Sequence, residues 1–142
     1  MKALIIEPEE LLRAELVQLL GGQFEAQGAA TGQEGYDLFR AALELGYPYG
    51  LIVLDMELGG VKGIEVVRGC RELEAEYELY GSSSSRIVFL SAQADPKLIA
   101  EGFREGCDAY LIKPLKIEEL ERQLQLFGMI KGTISPARAL KA

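Results

Sequence analysis

The stretch Leu51-Ile52-Val53-Leu54-Asp55 decides the fold: four consecutive apolar residues, two of them β-branched, end abruptly in a carboxylate. A run that is apolar on both faces reads as a strand buried on both sides, as parallel strands are. Such strands end at the carboxyl edge of a doubly wound sheet, where ligands bind in the crevice at the topological switch point. Three other apolar runs end the same way: Ala3-Leu4-Ile5-Ile6 in Glu7, Ile87-Val88-Phe89-Leu90 in Ser91, and Ala109-Tyr110-Leu111-Ile112 in Lys113. If the four strands are parallel neighbours, two carboxylates, one hydroxyl and one ammonium converge at one sheet edge.

The segments between these runs read as helices. After residues 2 to 6, Pro8 is expected at the first helical position, with Glu9 and Glu10 at the positive end of the helix dipole. Leu12, Leu16, Leu19 and Leu20 follow at helical spacing, and Gly21-Gly22 stops the helix. Residues 23 to 30 are polar enough for an edge strand. Thr31 and Glu34 form a capping box for a helix with Tyr36, Phe39 and Leu43 inward, and Tyr47 to Gly50 read as a turn. Past the glycine-containing loop 56 to 63 comes a helix with Val66, Cys70, Leu73 and Tyr77 on its inner stripe. Gly81 to Ser85 read as a flexible connector, and Asp95-Pro96 starts a helix with Ile99 and Phe103 inward. Pro114 biases Lys113 to an extended conformation. Ile117, Leu120, Leu124 and Phe127 mark the last helix, and residues 129 to 142 are expected as a loose tail. Five strands alternating with five helices give an α/β fold: a doubly wound, five-stranded parallel sheet covered on both faces, with right-handed crossovers.

At 142 residues the chain is sized for one domain. Its 49% hydrophobic and 26% charged residues suit a globular protein. Apolar runs of about five residues fall far short of the roughly 20 that cross a bilayer, and Glu7 arrives too early for a signal peptide. A soluble, cytoplasmic protein without membrane contact is therefore expected. Cys70 and Cys107 lack a C-x-x-C spacing and read as plain thiols. The absence of His removes the commonest general base and zinc ligand. A net charge of -7 argues against direct nucleic acid binding.

Hard oxygen ligands such as Glu7, Asp55 and a loop carbonyl suit magnesium, which prefers sites shared with phosphate. Ser91 and Lys113 would face phosphoryl oxygens. This is equipment for phosphoryl transfer by positioning and charge neutralisation, with a carboxylate as nucleophile. Each group also has a plainer reading: Glu7 as a solvated strand end, Ser91 as a helix cap, Lys113 as a surface ion-pair partner.

Together, Leu-Ile-Ile-Glu-Pro-Glu-Glu at 4 to 10, Leu-Ile-Val-Leu-Asp at 51 to 55 with Gly60 and Gly63-Ile64-Glu65, Val-Phe-Leu-Ser-Ala at 88 to 92, and Gly-Cys-Asp-Ala-Tyr-Leu-Ile-Lys-Pro-Leu at 106 to 115 resemble the receiver domain of bacterial two-component response regulators. The resemblance covers residues 1 to 128 and implies a flavodoxin-like fold with strand order 2-1-3-4-5. It implies that Asp55 is the phosphoacceptor, served by a partner histidine kinase or phosphotransfer protein. Ser91 and Lys113 would bind the phosphoryl group, and Ser91 with Tyr110 would form the switch. Magnesium would be held by Glu7, Asp55 and the backbone carbonyl of Glu57, while the side chains of Glu57 and Gln93 would tune dephosphorylation. The Lys113-Pro114 bond is commonly cis in that family. Output would run to a downstream protein through the fourth helix, fifth strand and fifth helix, with a homodimer left open. Such a domain is a phosphoacceptor rather than an enzyme, at most catalysing its own phosphoryl transfer and dephosphorylation.

Two features differ from the family pattern. Pro8 stands where a second acid usually binds magnesium directly, and the missing carboxylate weakens the site by about one to several kcal/mol, tenfold or more in affinity. Gly59 and Lys62 replace a usual proline and acid, which loosens the loop. The sequence thus leaves three readings: a phosphorylatable receiver, a phosphorylation-independent pseudo-receiver acting as an interaction module, and a small hydrolase on the same sheet.

Overall fold

The computed structural model describes residues 1–134. Its elements, in chain order, are β1 (Lys2–Ile6), α1 (Glu10–Leu20), β2 (Glu25–Ala29), α2 (Gly32–Glu44), β3 (Tyr49–Asp55), α3 (Gly63–Glu76), β4 (Arg86–Ser91), α4 (Pro96–Glu105), β5 (Ala109–Ile112) and α5 (Ile117–Leu126). The strands pair in parallel in the order β2-β1-β3-β4-β5, as the resemblance implies.

Side chains alternate across a strand, so a run apolar at every position feeds two cores. Leu4, Ile6, Ile52, Leu54, Ile87 and Phe89 meet Phe39 of α2 and Val66 and Cys70 of α3 on one face. Ile5, Leu51, Val53, Val88 and Leu90 meet Leu16 and Leu20 of α1 and Leu120 and Leu124 of α5 on the other. Burial of each large side chain contributes roughly 1.5–3 kcal/mol before conformational entropy is subtracted. The polar strand, β2, takes an edge position.

Several local expectations are corrected. Pro8 lies before α1 and does not occupy its first position. The backbone N–H of Glu9 donates to Glu7 Oε2 at 3.1 Å, Glu9 becomes the N-cap, and the helix starts at Glu10. Thr31 does cap α2 by accepting from Glu34 N, but Glu34 Oε2 accepts from Ala30 N instead of completing the box at Thr31. Tyr49 and Gly50 belong to β3, because Lys2 of β1 pairs with Tyr49 and extends the strand backwards. Tyr77 is exposed at the end of α3. Phe103 is also exposed: α4 leans on the sheet through Gly102, where an added Cβ would lie 3.3 Å from the Phe89 ring, and the neighbouring position therefore turns outward.

Two segments read as loose are tied down. Gly81–Ser83 form a short 3-10 turn. Beyond it Ser85 is buried, donating its N–H to Glu74 Oε2 and its hydroxyl to the Tyr49 carbonyl. Arg71 completes this network, reaching Glu74, the carbonyls of Ser85 and Gly106, and Asp108. After α5, Ile130 and Ile134 are buried with Leu16 and Leu20. Gln23 Nε2 donates to the Thr133 carbonyl, Gln125 Nε2 to the Gly132 carbonyl, and Ile134 N to Glu121 Oε2. Residues 129 to 134 therefore pack on the core, while the rest of the expected tail lies outside the described residues.

Candidate functional site

Parallel strands in this order must bring the ends of β1, β3, β4 and β5 to one edge, and the four polar strand ends do meet there. Glu7 is 1% exposed, Asp55 4% and Ser91 0%. Such burial excludes the reading of Glu7 as a solvated strand end. Their desolvation must be offset by local partners. Lys113 Nζ provides one, 2.9 Å from Glu7 Oε1 and 3.3 Å from Asp55 Oδ2. Burial alone would lower the pKa of this ammonium, but the hydrogen bonds and charges of Glu7 and Asp55 outweigh it and hold the pKa above the ordinary lysine value.

Backbone geometry aims these groups. The Lys113-Pro114 bond is cis, and Lys113 N donates to the Ser91 carbonyl at 2.7 Å, extending the β4–β5 pairing to the site. Asp55 Oδ1 accepts from the backbone N–H of Glu57 at 3.2 Å, which closes a tight turn after β3. At Gly63, the first residue of α3, an added Cβ would sit 2.8 Å from the Asp55 carbonyl and 2.9 Å from Met56 Cα, so only glycine allows this approach. Arg13 Nη1 donates to the Glu7 carbonyl at 2.8 Å and holds the β1–α1 turn.

Ser91 faces the same crevice, bonded to Glu57. Its hydroxyl donates to Glu57 Oε2 at 2.7 Å, and Ala92 N donates to Glu57 Oε1 at 2.9 Å. Gln93 N donates back to Ser91 Oγ at 3.0 Å. The Tyr110 hydroxyl donates to the Gln93 carbonyl at 3.0 Å, touches Met56 Sδ at 3.3 Å, and its ring tilts against Phe89. Burial raises the Tyr110 pKa, with the nearby Glu57 and Asp95 charges adding to the effect and Ser91 opposing it. Every residue singled out in the sequence at this edge is thus present, in two connected groups: Glu7, Asp55 and Lys113, and Glu57, Ser91, Gln93 and Tyr110. Ala92 and Met56 carried no sequence signal, since one contributes a main-chain N–H and the other a contact made across strands.

Among the described residues, no cluster of three or more His, Cys, Asp or Glu side chains is arranged to hold a metal ion. The available donors are the Glu7 and Asp55 carboxylates and the Glu57 main-chain carbonyl. Glu7 Oε1 is buried, and the Lys113 ammonium at 2.9 Å is the one partner it has among the described residues. That buried acceptor next to Asp55 fits a hard divalent cation, which keeps several waters and uses few protein oxygens.

The family model described as the response regulator receiver domain matches residues 3–125. The two-component response regulator PhoP of Pseudomonas aeruginosa is 32% identical over 139 residues, covering 94% of this chain and 56% of that protein. The chain spans about half the length of the curated relatives it matches. Among solved structures, the fold is shared with a co-crystal of the Saccharomyces cerevisiae histidine phosphotransfer signalling protein Ypd1 and the receiver domain of its downstream response regulator Ssk1. That match has 23% identity and a TM-score of 0.75, covering 90% of this chain and 88% of that one. The CheX-CheY complex from Borrelia burgdorferi with BeF3 and magnesium matches at 18% identity and a TM-score of 0.73, over 92% of this chain and 90% of that one.

Proposed function

Since this chain belongs to the family of response regulator receiver domains, we propose that Asp55 is its phosphoacceptor and that its phosphorylation state sets a conformational equilibrium read by a protein partner. The observation that carries this reading is the single buried crevice holding Asp55, Lys113 and Ser91 at the ends of three strands. Receiver domains are signalling domains, and the donor for this one is proposed to be a phosphohistidine on a histidine kinase or phosphotransfer protein. An Asp55 carboxylate oxygen attacks phosphorus, an acyl phosphate bond forms, the phosphorus–nitrogen bond breaks, and the imidazole leaves with the electron pair. Lys113, already between the two carboxylates, neutralises the arriving charge, and the Ser91 hydroxyl donates to a phosphoryl oxygen.

Glu7, Asp55 and the Glu57 carbonyl are the groups that would hold magnesium; when bound, the ion neutralises charge on the phosphoryl oxygens. Pro8 removes one carboxylate from this set, so binding is proposed to be weak. Glu57 and Gln93 flank the acyl phosphate and would tune its hydrolysis. Ser91 and Tyr110 form the switch, and α4, β5 and α5 present the output face. Residues 1–128 are the receiver unit in this reading, with residues 129–134 packed onto its core, and its location is cytoplasmic; no helix among the described residues is long and apolar enough to cross a membrane.

A second reading is favoured by one observation. The hydrogen bonds from Ser91 and Ala92 already end on a carboxylate in the unmodified chain, as a phosphorylation-independent interaction module would require. Incubation with acetyl phosphate or phosphoramidate, with and without magnesium, followed by intact-mass measurement, separates the two. One added phosphoryl mass that requires magnesium and disappears in Asp55→Asn supports the first; no added mass under any condition supports the second.

A further inference from the structure

Glu57, an exposed residue, presents its carboxylate to two donors at the end of β4, the buried Ser91 hydroxyl and the exposed Ala92 N–H. Its oxygens accept from Ser91 Oγ at 2.7 Å and from Ala92 N at 2.9 Å, a two-point anion seat at the end of β4. The seat is coupled onward through Ser91 and Gln93, whose N–H donates to Ser91 Oγ and whose carbonyl accepts from Tyr110. The backbone of Glu57 is anchored separately, its N–H on Asp55 Oδ1, so the side chain can leave the seat without undoing the turn. Leaving has a destination. A cavity of about 500 Å³ opens beside the site between α3 and α4, lined by Glu57 itself, the cation Lys62, the acids Glu65 and Glu101, and apolar Met56 and Leu98; Arg68, also on its wall, is paired with Glu105.

We propose that the Glu57 carboxylate is a built-in stand-in for the phosphoryl group, seated on Ser91 and Ala92 in the unmodified chain. There it keeps Tyr110 docked on Gln93, and it must swing into the Lys62-lined cavity before Asp55 accepts phosphate. This rests on the reading of Asp55 as phosphoacceptor, because the competition is for the donors that a phosphoryl group on Asp55 would use. Two anions cannot share the same two donors. Each conformation satisfies the carboxylate: hydrogen bonds in the seat, and the Lys62 ammonium with solvent in the cavity. The consequence is a raised basal population of the Tyr110-docked state and a slowed phosphorylation, both set by one side chain. Glu57 is a positioning residue in this account, acting through Ser91.

The test uses the full chain, with Glu57→Ala, Glu57→Gln and, as a control for general charge, Glu65→Ala, an acid lining the same cavity. In the unmodified protein, the Ala92 amide and Tyr110 ring resonances are followed by NMR; labelling by acetyl phosphate with magnesium is then timed by intact mass. The expected result is an Ala92 and Tyr110 shift in Glu57→Ala, a smaller one in Glu57→Gln, none in Glu65→Ala, and labelling about tenfold faster in Glu57→Ala alone. Unchanged Ala92 and Tyr110 resonances in Glu57→Ala overturn the seat. Labelling at the parent rate, despite shifted resonances, overturns the competition. If no variant is labelled at all, the phosphoacceptor reading fails, while shifted resonances in the unphosphorylated protein still establish the seat.

Discussion

The Lys113 ammonium stands 2.9 Å from Glu7 Oε1 while also lying 3.3 Å from Asp55 Oδ2, so two buried carboxylates from neighbouring strands share one cation. Removing a partner from a buried pair costs about 3–5 kcal/mol. Lys113 retains 21% exposure, so Lys113→Met is expected to destabilise the fold by about 2 kcal/mol. It should also tighten magnesium binding, because a competing positive charge is gone. Urea unfolding with and without magnesium measures both; a variant as stable as the parent would show that water already screens the two carboxylates.

Pro8→Asp restores a carboxylate beside Glu7 and Asp55. Magnesium affinity is expected to rise about tenfold, the equivalent of about 1.4 kcal/mol. Calorimetric titration decides, and an unchanged dissociation constant would mean that Glu7 already provides the second acidic ligand.

Gly63→Ala places a methyl group 2.8 Å from the Asp55 carbonyl and 2.9 Å from Met56 Cα, with Met56 O at 3.0 Å. Backbone atoms cannot yield as a flexible side chain does. A loss of about 2 kcal/mol in unfolding free energy is expected, together with slower labelling of Asp55 because the turn shifts. Gly59→Ala, where an added Cβ has open space, should leave both near the parent values.

Alkali should weaken the fold. Burial pushes the Cys70 thiol up to about 12 from 9.0, burial raises Tyr49 and Tyr110, and Lys113 is raised by its carboxylates against its desolvation. Each group holds its proton in the native state at a pH where the unfolded chain has begun to release it, so the native state binds more protons and stability falls as pH rises. For Cys70 the stabilisation is fully present below about pH 9 and is lost as pH rises toward about 12, at up to about 1.4 kcal/mol per pH unit. Cys70→Ala should flatten that part of the profile. A stability constant from about pH 8 to pH 11 would contradict the native-state protonation.

The sheet was legible because two-sided burial forces strand runs apolar at every position, as at Ile5-Ile6 and Val53-Leu54, and because polar residues at all four strand ends need a shared edge. Outward turns such as Phe103 were not legible: a helical stripe marks an apolar face, but the small contact residue, Gly102, decided which side met Phe89. The β1–α1 turn misled because Pro8 satisfied a local rule, whereas the Glu7 carboxylate reaching Glu9 N–H set the actual start. Ser85 and residues 129 to 134 looked unstructured by composition; long-range bonds to Tyr49, Gln23 and Glu121 hold them. The family resemblance alone marks the side chain of Glu57 as a neighbour of the chemistry. Its reach to Ser91, 34 positions away in the chain, exists only after β3 and β4 pair.

The phosphoryl group is expected to form an acyl phosphate on Asp55 and not on Glu7 or Glu57. Borohydride reduction of the acetyl phosphate-treated protein, followed by peptide mapping, reads this directly, since an aspartyl phosphate is reduced to homoserine. Homoserine at position 55, dependent on magnesium and absent from Asp55→Asn, is the predicted result. A reduced side chain at position 7 or 57, or phosphate that survives reduction on Ser91, would contradict it.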